Sequence, residues 1–224
     1  MKKSILAAGL GAITLVAGVL ATAPADAAGN GRHATRVCAA SSKAGVASCS
    51  AKVMVSDKTG AVPASTTPAA SALTPTQLRA AYGLTTDATG TVAVIDAYGY
   101  PNLERDLGVY RSQFGLSACT KANGCLKVLD QNGGTNLPRF NTGWAGETAL
   151  DVDAISAICP SCKILVVQAK SASIADLGTA AATASHQAGV VAISNSYGGG
   201  DLSDSSYGSY YNHPGIAVTA SGTT

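Results

Sequence analysis

Glu147 and Asp151 stand four residues apart in a stretch whose apolar positions recur at helical spacing, so both carboxylates project from one face. On an exposed helix two like charges at that spacing cost roughly a few tenths of a kcal/mol. In a cleft the pair shares a proton instead: one pKa rises and the two groups titrate as a unit. Such a dyad can act as a general base at acidic pH. Spacing alone favours the plainer reading, a solvated helix edge to which Asp153 adds another charge.

Other residue types with chemical potential are sparse. Six cysteines fall in three close pairs, Cys38 with Cys49, Cys119 with Cys125, and Cys159 with Cys162. Even, clustered cysteines read as local disulfides when a chain is exported. Cys159-Pro160-Ser161-Cys162 also fits a redox C-x-x-C, but such a motif opens a helix after a strand. Here it precedes a strand-like run, which favours a structural bridge. A zinc site would need a second ligand pair at suitable spacing, and none is evident.

The elements that must position these residues follow from periodicity. Thr74 and Pro75 mark a helix start, and Gly83 closes it. Thr91–Asp96 is a continuous apolar strand, as in a sheet buried on both faces. Leu103–Phe114 has a helical apolar face. Cys119–Cys125 is a loop and Leu126–Leu129 a short strand. A helix over Glu147–Ile158, a strand over Lys163–Gln168, a helix over Ile174–Ala188 and strands over Val190–Ser194 and Ile216–Ala220 complete the order. Strands alternating with helices predict an α/β fold with a mostly parallel sheet flanked by helices. In such sheets the site lies beyond the carboxyl ends of the strands, here after Asp96, Gln168 and Ser194.

The N-terminus reads as a leader. Lys2 and Lys3 precede an uncharged Ala/Leu/Val/Gly run, and Ala25-Asp26-Ala27 supplies the small residues of a cleavage site. The alternative is a membrane anchor, which the cleavage site and the lack of a basic stop-transfer cluster disfavour. Residues 1–28 are therefore expected to be a signal peptide and the mature chain to be secreted. Residues 29–72 read as a short pro-region or arm followed by a linker, and residues 73–224 as one domain. A formal net charge of +2 and only 12% charged residues give no basic face for nucleic acid or anionic lipid. Neither nucleic acid nor, after leader removal, a membrane is expected as a partner, and a monomer is expected.

Trp144–Asp153, W-A-G-E-T-A-L-D-V-D, resembles the segment of sedolisin-type (serine-carboxyl) peptidases in which Glu and Asp sit four apart. Ala157–Ile164 is similar to that family's run into the next strand. Leu73–Gly83 resembles the start of its mature domain, and Ser194-Asn195-Ser196-Tyr197-Gly198 resembles the strand end lining its substrate cleft. The resemblance covers roughly residues 73–222 in the family's order. It implies a Ser-Glu-Asp triad on a subtilisin-like fold acting on peptides or unfolded protein at acidic pH. Glu147 is then the general base toward a serine hydroxyl and Asp151 its orienting partner. Ser194, Ser196, Tyr197 and Gly198 line the substrate cleft. A further Asp, kept protonated, stabilises the oxyanion.

V-A-V-I-D over Val92–Asp96 also looks like the Asp segment of a subtilisin, which would need a His followed by Gly-Thr. His33, His186 and His213 lack that context, so Asp96 reads as structural or at the cleft rim. The family pattern breaks in two places. Thr223 stands where the oxyanion Asp is expected, and the Gly-Thr-Ser turn and the calcium loop of the family lie beyond Thr224. The resemblance thus implies no cofactor in this chain, with calcium belonging to full-length relatives. The expectation is a peptidase domain incomplete at its C-terminus, holding the Glu/Asp part of the site and inactive alone. The rival readings are a secreted non-catalytic peptide-binding module and a structural protein.

Overall fold

The computed structural model describes residues 31–62, 67–69 and 71–221; the leader reading at residues 1–28 and the comparison at Thr223 lie outside the described residues. In chain order the elements are β1 (Arg32–Arg36), β2 (Ser48–Cys49), β3 (Lys52–Ser56), α1 (Pro75–Ala81), β4 (Thr91–Ala97), α2 (Leu103–Gln113), β5 (Leu126–Asp130), α3 (Thr142–Ile158), β6 (Lys163–Ala169), α4 (Ile174–Ser185), β7 (Val190–Asn195), β8 (Tyr197–Gly198), α5 (Asp204–Tyr207) and β9 (Ala217–Ala220).

Five strands form a parallel sheet in the order β5-β6-β4-β7-β9. The apolar runs of the central strands are what a sheet covered on both faces requires. Along β4 the side chains alternate. Ala93, Ile95 and Ala97 join one cluster with Leu177, Ala180, Ala181 and Ala184 of α4. Val94 joins a second cluster with Leu103 and Leu107 of α2 and Val152 of α3. The same alternation sends Asp96 to the α2/α3 face. The chain is α/β, as its periodicity predicts.

Local sequence explains the element ends. Thr74 and Gln77 form a reciprocal capping box at the start of α1, with Pro75 in its first turn. Ser173 caps α4 by accepting from the Asp176 N–H. Helix α3 begins at Thr142, five residues before the sequence reading places it, because the Asn141 side chain accepts from the Trp144 N–H at 3.1 Å. Gly143 and Gly146 hide this turn from propensity arguments. The first turns of α3 carry Glu147 into the interior.

Residues 32–56 are built into the fold. β1 pairs antiparallel with β3, and β2 pairs antiparallel with β8. Cys38, Ala47, Cys49, Ala51 and Val55 are buried. The three disulfides are Cys38–Cys49, Cys119–Cys125 and Cys159–Cys162, the pairs that cysteine spacing predicts. Closing a loop of the Cys38–Cys49 size stabilises by about 3 kcal/mol through the unfolded chain. Cys159 sits at the C-terminal end of α3 and Cys162 just before β6, so their bond fixes the turn between the two.

Arg111 of α2 is 2% exposed and ties the helix layer together. Its guanidinium donates to the Ser156 hydroxyl at 3.0 Å and to the Pro160 carbonyl at 2.8 Å, and its Nε–H donates to the Ser117 carbonyl. Removing it takes the donor from three acceptors at once, of which the Ser156 hydroxyl is fully buried. Arg111→Ala is expected to lower unfolding free energy by about 3 kcal/mol or more. A urea titration followed by circular dichroism checks this; a midpoint unchanged from the parent refutes the role assigned to Arg111.

Candidate active site

Helix α3 and strand β4 bring three carboxyl groups into the interior. Glu147 is 1% exposed, Asp151 8% and Asp96 0%. Glu147 and Asp151 lie one turn apart on the buried face of α3, and Asp96 occupies the last but one position of β4. The electrostatic coupling of Asp96 is strongest to Asp151 and extends to Glu147. The solvated-edge reading of the Glu147/Asp151 pair is therefore corrected: the helix turns this edge inward. Asp96, expected to be structural or at the rim, lies fully buried behind the pair.

Each carboxyl group has a different environment. Glu147 Oε2 accepts from the Ala51 N–H at 2.6 Å. Burial raises its pKa, while the N–H groups of Ala51 and Ser50 and the charge of Arg36 pull it back. Asp151 Oδ1 accepts from the Ser196 hydroxyl at 2.8 Å. Burial pushes Asp151 up to about 7 against the pull of that hydroxyl, with Glu147 adding repulsion. Asp96 is driven well above the usual carboxylate range, by burial first and by Asp151 second. Thr148 stands near Asp96, but its hydroxyl donates to the Trp144 carbonyl at 2.9 Å. Both Asp96 oxygens and Asp151 Oδ2 are left without a partner among the described residues. A buried carboxyl group without donors is held in its neutral form. Glu147 is thus the member of the set best supplied with stabilisation for its charge.

The strand end singled out by the sequence reaches this centre in part. Ser196 touches Asp151 directly. Tyr197 is buried, donates to Asn195 Oδ1 at 2.7 Å and stacks obliquely with Trp144, ring centres 6.3 Å apart. Gly198 lies in β8, paired with Ser48. Ser194 sits one step back, in the ladder between Val94 and Thr219. The histidines are engaged elsewhere: His33 with Asp57, His186 with Ala182 and His213 with Tyr210. Asp153, beside the pair in sequence, is raised to about 7 by burial and then by Asp106, so it belongs to the α2 side rather than to the dyad.

One contribution escapes the sequence reading: the pair of N–H donors at Ser50 and Ala51, which no local pattern announces. An open cavity of about 480 Å³ lies to one side, lined by Asp130, Asn136, Arg139, Gln168 and Lys170 among others. Gln168 pairs in register with Asp96, which places the cavity next to the carboxyl centre rather than on it. Among the described residues no group of three or more His, Cys, Asp or Glu side chains converges as a metal site. Nor, among them, is any helix long and apolar enough to cross a membrane.

No protein-family model matches the chain. No curated protein matches it. Among solved structures it is similar to a Pseudomonas sedolisin, a serine-carboxyl proteinase complexed with two molecules of pseudo-iodotyrostatin, at 21% identity and a TM-score of 0.44. The similarity covers 55% of this chain and 34% of that one. The chain therefore spans about a third of the length of that proteinase.

The raised carboxyl groups have a consequence for stability that is independent of any activity. A folded-state pKa above the unfolded value contributes stability that is complete below about pH 4 and is lost as pH rises through the folded value. For Asp151 that window runs from about 4 up to about 7. The melting temperature is expected to fall between about pH 5 and pH 8, by an amount reflecting on the order of 3 kcal/mol. Asp151→Asn removes one of the raised groups and should make the fall shallower, with Asp96 and Asp153 still contributing to it. Thermal melts by circular dichroism at a series of pH values test this; a wild-type chain more stable at pH 8 than at pH 5 contradicts the assignment.

Proposed function

We propose that this chain carries the Glu/Asp part of a serine-carboxyl peptidase site, exported from the cell and directed at peptide bonds of peptides or unfolded protein under acidic conditions. One observation supports it above the others: three carboxyl groups are buried together, and only Glu147 is well provided with donors. In this reading Glu147 is the general base toward a serine hydroxyl. Asp151 holds a proton beside it, and Asp96 stands behind Asp151 with another. A carboxylate base is usable at acid pH because its neighbours remain neutral while it ionises. The disulfides are compatible with an oxidising compartment, in keeping with the leader-like N-terminus.

The serine follows from the resemblance, in which the Gly-Thr-Ser turn lies C-terminal to the segments matched here. The calcium loop of the family lies in that same later part, and no residue of this chain is assigned to it. A second reading, a secreted peptide-binding module without catalysis, is favoured by one feature: β8 pairs with an extended segment of the chain itself.

Reading the coding sequence past codon 224 and expressing the resulting protein tests the first reading. The expected outcome is a serine-bearing Gly-Thr-Ser turn and cleavage of unfolded protein at about pH 3–5. Glu147→Gln should lower kcat by about 10³-fold or more, and Asp151→Asn should shift the acid limb of the pH profile. The reading fails if no such turn is encoded, or if Glu147→Gln leaves kcat unchanged.

A further inference from the structure

Asp130, Gln168 and Asp96 stand in one row at the carboxyl ends of β5, β6 and β4, because they are register partners in parallel strands. Partners in such a ladder point to one face, here the α2/α3 face that Val94 and Val166 fill two residues earlier. The two acids of the row are accounted for. Asp96 belongs to the carboxyl centre. Asp130 spends its carboxylate on its own turn: Oδ1 accepts from the N–H groups of Asn132 at 2.8 Å and Gly134 at 3.0 Å, and Oδ2 from that of Asn136 at 3.0 Å. Gln168 between them is not. It is 1% exposed, and neither its amide nitrogen nor its amide oxygen has a partner among the described residues. A buried amide in that state costs free energy until something pairs with it.

Gln168 is part of the wall of the open cavity of about 480 Å³, and two cations share that wall, Arg139 and Lys170. Neither has a carboxylate within ion-pair distance among the described residues. Asp176, whose charge Lys170 feels, is engaged with Ser171 and Gln131. Both cations are anchored through the main chain. The Gly99 N–H donates to the Arg139 carbonyl at 2.8 Å, and Gly99 bridges Phe140. A Cβ on Gly99 would run into the Pro138 carbonyl, so only glycine allows this approach. The Lys170 N–H donates to Gln131 Oε1 at 2.6 Å, which clasps the end of β6 to the same loop. The Arg139 guanidinium lies over the Tyr98 ring, 5.5 Å from its centre. Held by its face, it keeps its N–H edge available.

A carboxylate is the ligand these groups match. The guanidinium fork and the ammonium can take its two oxygens, and the Gln168 amide can pair with a polar group behind it. Of the lining residues Asp130 alone is acidic, and its charge is already met by three N–H groups. Leu137 and Pro138 give the wall an apolar stretch, which suits a short methylene chain rather than a bare inorganic anion. We propose that Arg139, Lys170 and Gln168 form a carboxylate-binding site beside, and separate from, the Glu147/Asp151 pair. The carboxylate comes from a free short-chain acid or from an acidic side chain of a peptide. The proposal concerns binding and stands apart from hydrolysis.

The probes are glutarate and acetyl-Ala-Glu-Ala-amide at about pH 6, where their carboxyl groups are ionised. Glutaramide and acetyl-Ala-Gln-Ala-amide are the uncharged controls. Binding to the full chain is followed by NMR through the side-chain amide signals of Gln168, and titration calorimetry gives the affinities. Those signals should shift with at least one acid probe, and its control should bind about tenfold more weakly or worse. Shifts with glutarate assign the site to free acids; shifts with the peptide alone assign it to side chains. Arg139→Gln and Lys170→Gln, both at exposed positions, should each weaken binding about tenfold. Gln168→Met keeps the volume and removes an unpaired amide, so thermal melts should show it at least as stable as the parent while its binding weakens. A Gln168 that only fills space would keep its affinity as Met. Gln168 signals unmoved by both acids, equal affinity for acids and controls, or inorganic phosphate bound as tightly as glutarate overturns the proposal. So does loss of binding in Glu147→Gln, which would merge this site with the carboxyl centre. Binding by a chain whose extended form cleaves nothing would leave the proposal standing and remove the peptidase reading.

Discussion

Three acids buried against one another with hardly a cation nearby must be held as acids for the most part, and the interior is arranged around that constraint. Desolvation alone makes a bare carboxylate there too costly to keep, so protons take the role that Arg or Lys would play in an ion pair. Among the described residues Asp96 has no donor on either oxygen, and Asp151 has a single hydroxyl. Glu147 alone receives backbone N–H groups and feels a guanidinium. The acids are therefore ranked by their surroundings rather than by their type. A Glu, ordinarily the weaker acid, is the one best supported in ionised form.

That ranking depends on where the backbone puts things. Side-chain alternation along β4 gives Asp96 the α2/α3 face, with Val94 two residues earlier filling the apolar layer beneath. The early start of α3 at the Asn141 cap gives Glu147 and Asp151 the same inward stripe. Glu147 projects toward residues 50–51, between β2 and β3, and Asp151 toward Ser196, just past the end of β7. Arg111 and the Cys159–Cys162 bond fix the far end of α3, so the helix cannot slide to relieve the repulsion.

Much of this arrangement was legible in the residues. Continuous apolar runs marked β4, β6 and β7 as strands of a sheet covered on both faces, and close cysteine spacing gave the disulfide pairs. The four-residue spacing of Glu147 and Asp151 placed them on one helix face but could not say which way that face turned. Burial is a tertiary outcome, set by a sheet formed from strands far apart in sequence. For the same reason the residues left Asp96 as either structural or at the cleft rim, and only the covering helices decide that it is buried. The arm was the least legible part. The pairing partners of residues 46–49 lie well over a hundred residues away, and that Ala/Ser-rich stretch carries no periodicity strong enough to announce a strand.

The arm's position ties its own seating to the charge of Glu147. Its N–H groups at Ser50 and Ala51 and the Arg36 charge are what hold that carboxyl down against burial. If the arm leaves with nothing in its place, Glu147 loses those donors and the nearby cation, and its pKa moves up toward those of its neighbours. Linkage is reciprocal, so an ionised Glu147 must in turn hold residues 50–51 more firmly than a protonated one. The charge of one buried carboxyl group and the seating of the arm are thus a single equilibrium, and neither shifts without the other.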